Sequence, residues 1–145
     1  LERYELEPAK LTLEITESAV MNDPDRAREV LTRLGKMGIQ LDIDDYGTGF
    51  SSLAYLKVLP VNGLKIYKSF VIDMEEDSND KIIVKSTIDL AHNLNLVVIA
   101  EGVETAVALE SLKQHNCDYA QGHFIAHPMP KADFIKWCLG FIKST

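Results

Sequence analysis

Apolar and polar positions alternate along the chain in two rhythms. Short, nearly continuous apolar runs rich in β-branched residues predict strands over 11–16, 39–44, 63–66, 96–100 and 119–120. Between them, apolar residues recur at helical spacing. Ala27, Val30, Leu31, Leu34 and Met37 predict a helix over 25–37. Asn22-Asp23-Pro24 opens it with a cap residue and a first-turn proline, and Gly38 closes it. Ile82, Ile83, Ile88, Leu90, Ala91 and Leu94 mark a second helix over 81–94. Thr105 caps a third over 106–115, and an amphipathic helix over 131–142 follows Pro128 and Pro130. A short helix is expected over 51–56, residues 69–74 are mixed, and the acidic stretch 75–80 reads as an exposed connection.

Strands alternating with amphipathic helices give an α/β fold of about five parallel β/α units, either an open sheet or part of a barrel. The units share no sequence self-similarity. At 145 residues the chain is one domain by length.

Charge narrows the partners. Twenty-two acids against 15 bases give a net −7, with no basic stripe, which argues against a nucleic acid polymer as partner. Cys117 and Cys138 have no ligand spacing and read as reduced residues of a cytoplasmic protein. No apolar run approaches the roughly 20 residues of a membrane span.

The chemistry sits where the strands end. Leu41-Asp42-Ile43-Asp44-Asp45-Tyr46-Gly47-Thr48-Gly49 is a strand running into two adjacent carboxylates and then a glycine-punctuated loop. Adjacent carboxylates repel, and a divalent cation on oxygen ligands relieves the repulsion; a polar turn or a helix cap would use the same residues. Glu14, Asp44, Lys65, Glu101 and Gln121 each lie in or at the downstream end of a successive strand. In parallel β/α folds those ends share one face, where ligands bind. Three carboxylates with one lysine and no His/Cys cluster suit Mg²⁺ or Mn²⁺, and a pair of such ions can activate water against a phosphate ester. Lys65 would hold a phosphate oxygen or the water, Glu101 would be a metal ligand or general base, and Gln121 would orient water or a base edge. An ion pair for Lys65 and a loop-capping role for Glu101 and Glu104 are the plainer readings. His92 and His115 read as helix-surface residues, and Pro128 argues against a two-His metal face at His123 and His127.

Five ordered motifs then match one family. Residues 13–18 (LEITES), 44–53 (DDYGTGFSSL), 64–66 (LKI), 101–105 (EGVET) and 121–130 (QG…PMP) resemble the EAL domain, the bacterial phosphodiesterase that hydrolyses cyclic di-GMP to linear pGpG. The resemblance implies a modified TIM-type (β/α)8 barrel with a two-metal site, Mg²⁺ or Mn²⁺, at its C-terminal face. It makes Glu14, Asp44, Asp45 and Glu101 metal ligands, and Lys65, Glu101 and Gln121 catalytic residues. It makes Glu104 the acid that steadies the loop after Asp45. Such a barrel takes about 250 residues, so residues 1–145 correspond to a truncated EAL domain, its C-terminal three-fifths. The Glu-Ala-Leu motif and a downstream asparagine, both metal ligands in the family, have no counterpart here, and Tyr67 stands where the family usually has Asp.

These departures leave two readings: a phosphodiesterase portion inactive by itself, or a degenerate, non-catalytic module that binds cyclic di-GMP or a protein. A Schiff-base enzyme acting through Lys65 is a third. The resemblance also implies upstream sensor or GGDEF domains in a full protein, one that membrane-tethers through them or stays cytoplasmic. Open sheet edges predict a homodimer or swapped oligomer.

Overall fold

In the computed structural model, which describes residues 1–49 and 53–144, five strands form one sheet in the order β1-β2-β3-β4-β5. They are Thr12–Thr16, Gln40–Tyr46, Gly63–Ile66, Val97–Ala100 and Tyr119–Ala120, and every pairing is parallel. Sequence neighbours are therefore sheet neighbours, as in successive β/α units. The sheet stays open, with β1 and β5 as its edges. Seven α-helices connect or flank the strands among the described residues: α1 Glu17–Asn22, α2 Pro24–Lys36, α3 Leu53–Leu56, α4 Lys68–Asp73, α5 Ser78–Asn93, α6 Ala106–Gln114 and α7 Lys131–Ser144. The expected start of α3 at Ser51-Ser52 lies outside the described residues. Among the described residues, no helix is long and apolar enough to cross a membrane.

Strand alternation sorts the sheet into two faces. Leu41 and Ile43, Leu64 and Ile66, and Val98 and Ala100 are fully or almost fully buried and pack in one cluster with Leu31, Val84, Ile88, Ala91 and Leu112 of the helices. The in-between positions, Glu14, Asp42, Asp44 and Lys65, consequently share the face turned away from that core. Register keeps them together: Glu14 lies opposite Asp42, Asp42 opposite Gly63, and Lys65 opposite Ile99, two residues before Glu101.

The expected caps form. The Asp23 carboxylate accepts the Arg26 N–H at 3.2 Å, with Pro24 as the first residue of α2, and the Thr105 hydroxyl accepts the Ala108 N–H at 3.0 Å. The end of the sheet away from the carboxylates is tied by Asp118, which accepts the Val98 N–H at 2.8 Å and bonds the His92 ring at 2.9 Å. Those contacts hold its carboxyl below the usual range even though its partial burial pushes the other way. His92 lies on the surface of α5 as expected, and from there ties that helix to the approach to β5. His115 differs from expectation, being half-buried with its Nε2 enclosed. Both cysteines are free, and burial pushes the Cys117 thiol up to about 11.

Candidate metal centre

Lys65 is the hub of the polar face. Its side chain is 5% exposed, and its ammonium lies 2.6 Å from Glu14 Oε2, 2.7 Å from Glu101 Oε1 and 3.2 Å from Asp44 Oδ1. Burial alone would lower the lysine's pKa, but hydrogen bonds to Glu101, Glu14 and Asp44 outweigh it and raise the value. The amine therefore stays protonated. A Schiff-base nucleophile needs the neutral amine, so this environment speaks against the aldolase-type reading and for a fixed cation.

Asp44 and Asp45 are adjacent, and in a regular strand they would point to opposite faces. The backbone prevents this. Asp45 adopts a left-handed φ of 55°, and the β2–β3 register shifts between Ile43 and Tyr46. Ligand oxygens of Asp44, Asp45 and Glu101 then all lie within 4.8 Å of one another, on half-buried side chains. The Asp45 N–H bonds back to Asp44 Oδ1 at 2.9 Å, and Gln121 Nε2 donates to Glu101 Oε1 at 3.0 Å. Three carboxylates so close together repel unless a cation joins them. Their all-oxygen chemistry, with Glu14 beside them on Lys65, fits a hard divalent ion.

The loop after Asp45 is clamped from two sides. Beneath it, the buried Glu17 accepts the Gly47 N–H at 2.9 Å. Above it lies the Phe70 ring, and a Cβ at residue 47 would come within 2.8 Å of it; φ here is +100°, so only glycine fits. Phe70 is braced edge-on by Tyr67 at a centroid distance of 6.3 Å. The residue that replaces the family's Asp thus belongs to an aromatic support of the acidic loop.

A profile of the EAL domain matches residues 1–128. The chain belongs to the EAL domain family. The bifunctional diguanylate cyclase/cyclic di-GMP phosphodiesterase MucR of Pseudomonas aeruginosa is 45% identical over 128 residues, which are 88% of this chain and 19% of MucR. The solved PaMucR phosphodiesterase, a c-di-GMP complex, matches at TM-score 0.90 and 44% identity, over 92% of this chain and 54% of that one. The manganese/cy-diGMP complex of Klebsiella pneumoniae BlrP1 matches at TM-score 0.82 and 31% identity, over 88% of this chain and 33% of BlrP1. The chain spans about a fifth or less of the length of the curated relatives it matches. Its solved neighbours are EAL domains, TIM-barrel-like folds, of which these five β/α units form an unclosed part.

Within this EAL chain the expected site residues separate into two groups. Glu14, Asp44, Asp45, Lys65, Glu101 and Gln121 converge. Glu104 does not join them; it is exposed, makes no described bond to the loop after Asp45, and lines a neighbouring cleft. Among the described residues, the carboxylate bonded to that loop is Glu17, which directly follows the β1 run. The signal for it was indirect: a glycine-rich loop leaves backbone N–H groups that need a buried acceptor.

Asp42 is a further acid on the polar face. Its carboxyl is pushed up chiefly by burial, then by Glu14, with Lys65 opposing. A carboxyl with a raised folded pKa weakens the fold once it ionises, and has no such effect below its ordinary value near 3.8, where both states are protonated. Asp42→Asn is therefore expected to raise the melting temperature at pH 7 and leave it unchanged at pH 3. Thermal unfolding at the two pH values checks this.

Proposed function

We propose that residues 1–145 are the C-terminal portion of an EAL phosphodiesterase domain, one that hydrolyses cyclic di-GMP to linear pGpG with Mg²⁺ or Mn²⁺. The observation that carries this is the convergence of Asp44, Asp45 and Glu101 within 4.8 Å beside a protonated Lys65. The donor set fits the ion: Asp44, Asp45, Glu101 and Glu14 would hold it, with further ligands from the upstream half of the domain. When bound, such a cation lowers the pKa of water and offsets charge on the phosphodiester.

The remaining work falls to side chains of this chain. Hydrolysis adds water across one P–O3′ bond, so its oxygen goes to phosphorus and a proton to the departing 3′-hydroxyl. Lys65, held by the acids, offers its ammonium to a phosphate oxygen. Glu101 is the group placed to take the water's proton. Gln121 fixes one Glu101 oxygen by its amide, which leaves the other to act.

The wider setting follows from the same reading. MucR is named for both a diguanylate cyclase and a cyclic di-GMP phosphodiesterase activity, so a GGDEF or sensor domain upstream, a cytoplasmic site of action, and association as a homodimer or swapped oligomer through the open β1 and β5 edges belong to the proposal. The decisive experiment extends the chain by its natural upstream ~100 residues and assays cyclic di-GMP turnover with Mn²⁺. Hydrolysis that vanishes in Glu101→Ala is expected. Binding of cyclic di-GMP without turnover would instead assign a non-catalytic dinucleotide-binding module, for which the Tyr67 substitution is the favouring observation.

A further inference from the structure

Asp45 reaches the metal centre only because its backbone is held at a left-handed φ of 55°. That conformation is unfavourable for a residue with a Cβ, and it persists only where the surroundings over-determine it. The turn's own bonds supply part of the restraint. The Thr48 hydroxyl and N–H both donate to the Asp45 carbonyl, at 2.9 Å and 3.3 Å, and Glu17 accepts the Gly47 N–H. The rest comes from the Phe70 ring against Gly47. Tyr67 governs that ring. Its N–H donates to the Tyr46 carbonyl at 3.4 Å, beside the turn, and its own ring meets Phe70 edge-on with 78° between the planes. Tyr67 is also the N-cap of α4, a position where Asp, Asn, Ser or Thr would bond the first turn; its side chain makes no such bond. A tyrosine here gives up a cap and gains an aromatic pair, and the two contributions are of similar size. The fold therefore gains little from the exchange. The acidic turn gains a ring fixed in place.

We propose that Tyr67 is a positioning residue for the metal centre: through Phe70 it holds the turn at 45–47 and so sets the centre's affinity for a divalent cation. The proposal rests on the reading of Asp44, Asp45 and Glu101 as a cation site. In a regular strand Asp44 and Asp45 point to opposite faces. If the turn relaxes toward that geometry, Asp45 leaves the set and two carboxylates remain where three converge. Groups that only orient metal ligands commonly change affinity by about ten- to a hundredfold. Tyr67 acts through one intervening ring, which places it at the low end of that range.

The test measures Mn²⁺ uptake by the 145-residue chain through loss of the free-ion electron paramagnetic resonance signal, beside urea denaturation in EDTA. Tyr67→Asn supplies a capping side chain, removes the ring, and adds no charge that could itself attract the ion. Its Mn²⁺ affinity should fall about tenfold, while its urea midpoint stays at or above the parent's. Tyr67→Phe keeps the ring pair and should bind Mn²⁺ as the parent does. In metal-free protein, amide exchange at Gly47 should quicken about fivefold in Tyr67→Asn, the scale of one lost edge-to-face pair, and stay at the parent rate in Tyr67→Phe. A merely structural tyrosine would lower stability and affinity together, so a parallel loss in Tyr67→Asn overturns the positioning role. Unchanged Gly47 exchange in Tyr67→Asn, or a Tyr67→Phe that binds as weakly as Tyr67→Asn, overturns it too. The two readings fail separately. A parent chain that takes up no Mn²⁺ overturns the cation site and this proposal with it. Equal uptake by all three chains overturns the positioning role alone.

Discussion

Lys65→Met is expected to destabilise the chain by about 3 kcal/mol at neutral pH without divalent cations. Methionine replaces the aliphatic stem at similar length but deletes the one positive charge shared by Glu14, Asp44 and Glu101. Removing one partner of a buried ion cluster leaves the others uncompensated, and this outweighs the hydrophobic gain. The figure sits at the low end of that range because Glu14 is 48% exposed and water screens it. The folded lysine holds its proton more tightly than an ordinary lysine with pKa 10.5. Its contribution is therefore fully present below that value and fades only as pH climbs through the raised folded value. The gap between parent and variant should stay constant from pH 7 to pH 9. Mn²⁺ should then narrow it, because the carboxylates that repel in the variant are those that accept a cation, and a ligand bound only to the folded state stabilises it by mass action. Urea denaturation with and without Mn²⁺ reads both effects. A variant as stable as the parent in EDTA would mean that Lys65 does not balance the acids.

The site's membership was legible in the sequence because strand-end position is legible. Apolar runs fix where Ile15, Ile43, Leu64 and Ile99 lie, and a parallel β/α order then fixes that the polar residues near them share a rim. What pattern could not supply was local backbone departure. The sequence reading ended β2 at Asp44; the strand continues to Tyr46, and Asp45 joins Asp44 on one side only because its φ turns positive. No periodicity announces a left-handed aspartate. Short helices escaped for a similar reason. Six residues, as in α1 and α4, make too few turns to show a 3.6-residue period. Likewise, the acidic stretch read as a connection contains the first turn of α5, where Asp77 caps Asn79 and Asp80 favours the helix dipole.

Assignments made residue by residue fared according to whether burial could be inferred. Glu17 is 3% exposed despite its charge; in sequence it follows a strand and looks like any polar terminator. It is buried because a loop of glycines folds over it and offers backbone donors. Glu104, two residues after the buried-core approach of Gly102 and Val103, has the opposite fate and stays in solvent. Both outcomes depend on loop packing between units far apart in the chain, which no local window contains.

That inter-loop packing is where the second large effect is expected. The turn after β5 presses against the turn after β4: the Val103 N–H donates to the Gln121 carbonyl at 3.1 Å and the Phe124 N–H to the Val103 carbonyl at 3.0 Å. Gly122 lies between these two bonds, and a Cβ there would be driven into the Val103 backbone on both its nitrogen and oxygen sides. Unlike a clash with the tip of a flexible side chain, this one has no rotamer to relieve it, so the two turns must separate. Gly122→Ala should therefore destabilise by at least about 3 kcal/mol, the upper range for overpacking, read as a lower urea midpoint at unchanged m-value. The same separation pulls Gln121 away from Glu101, and with it the amide that fixes one carboxylate oxygen. Gln121→Ala isolates that second consequence, since it removes the amide and leaves the turns packed. Stability near the parent's in Gln121→Ala alongside collapse in Gly122→Ala would place the effect in the backbone contact. A Gly122→Ala midpoint within about 0.5 kcal/mol of the parent, the usual scale of a surface substitution, would show that the two turns are not held in register by this glycine.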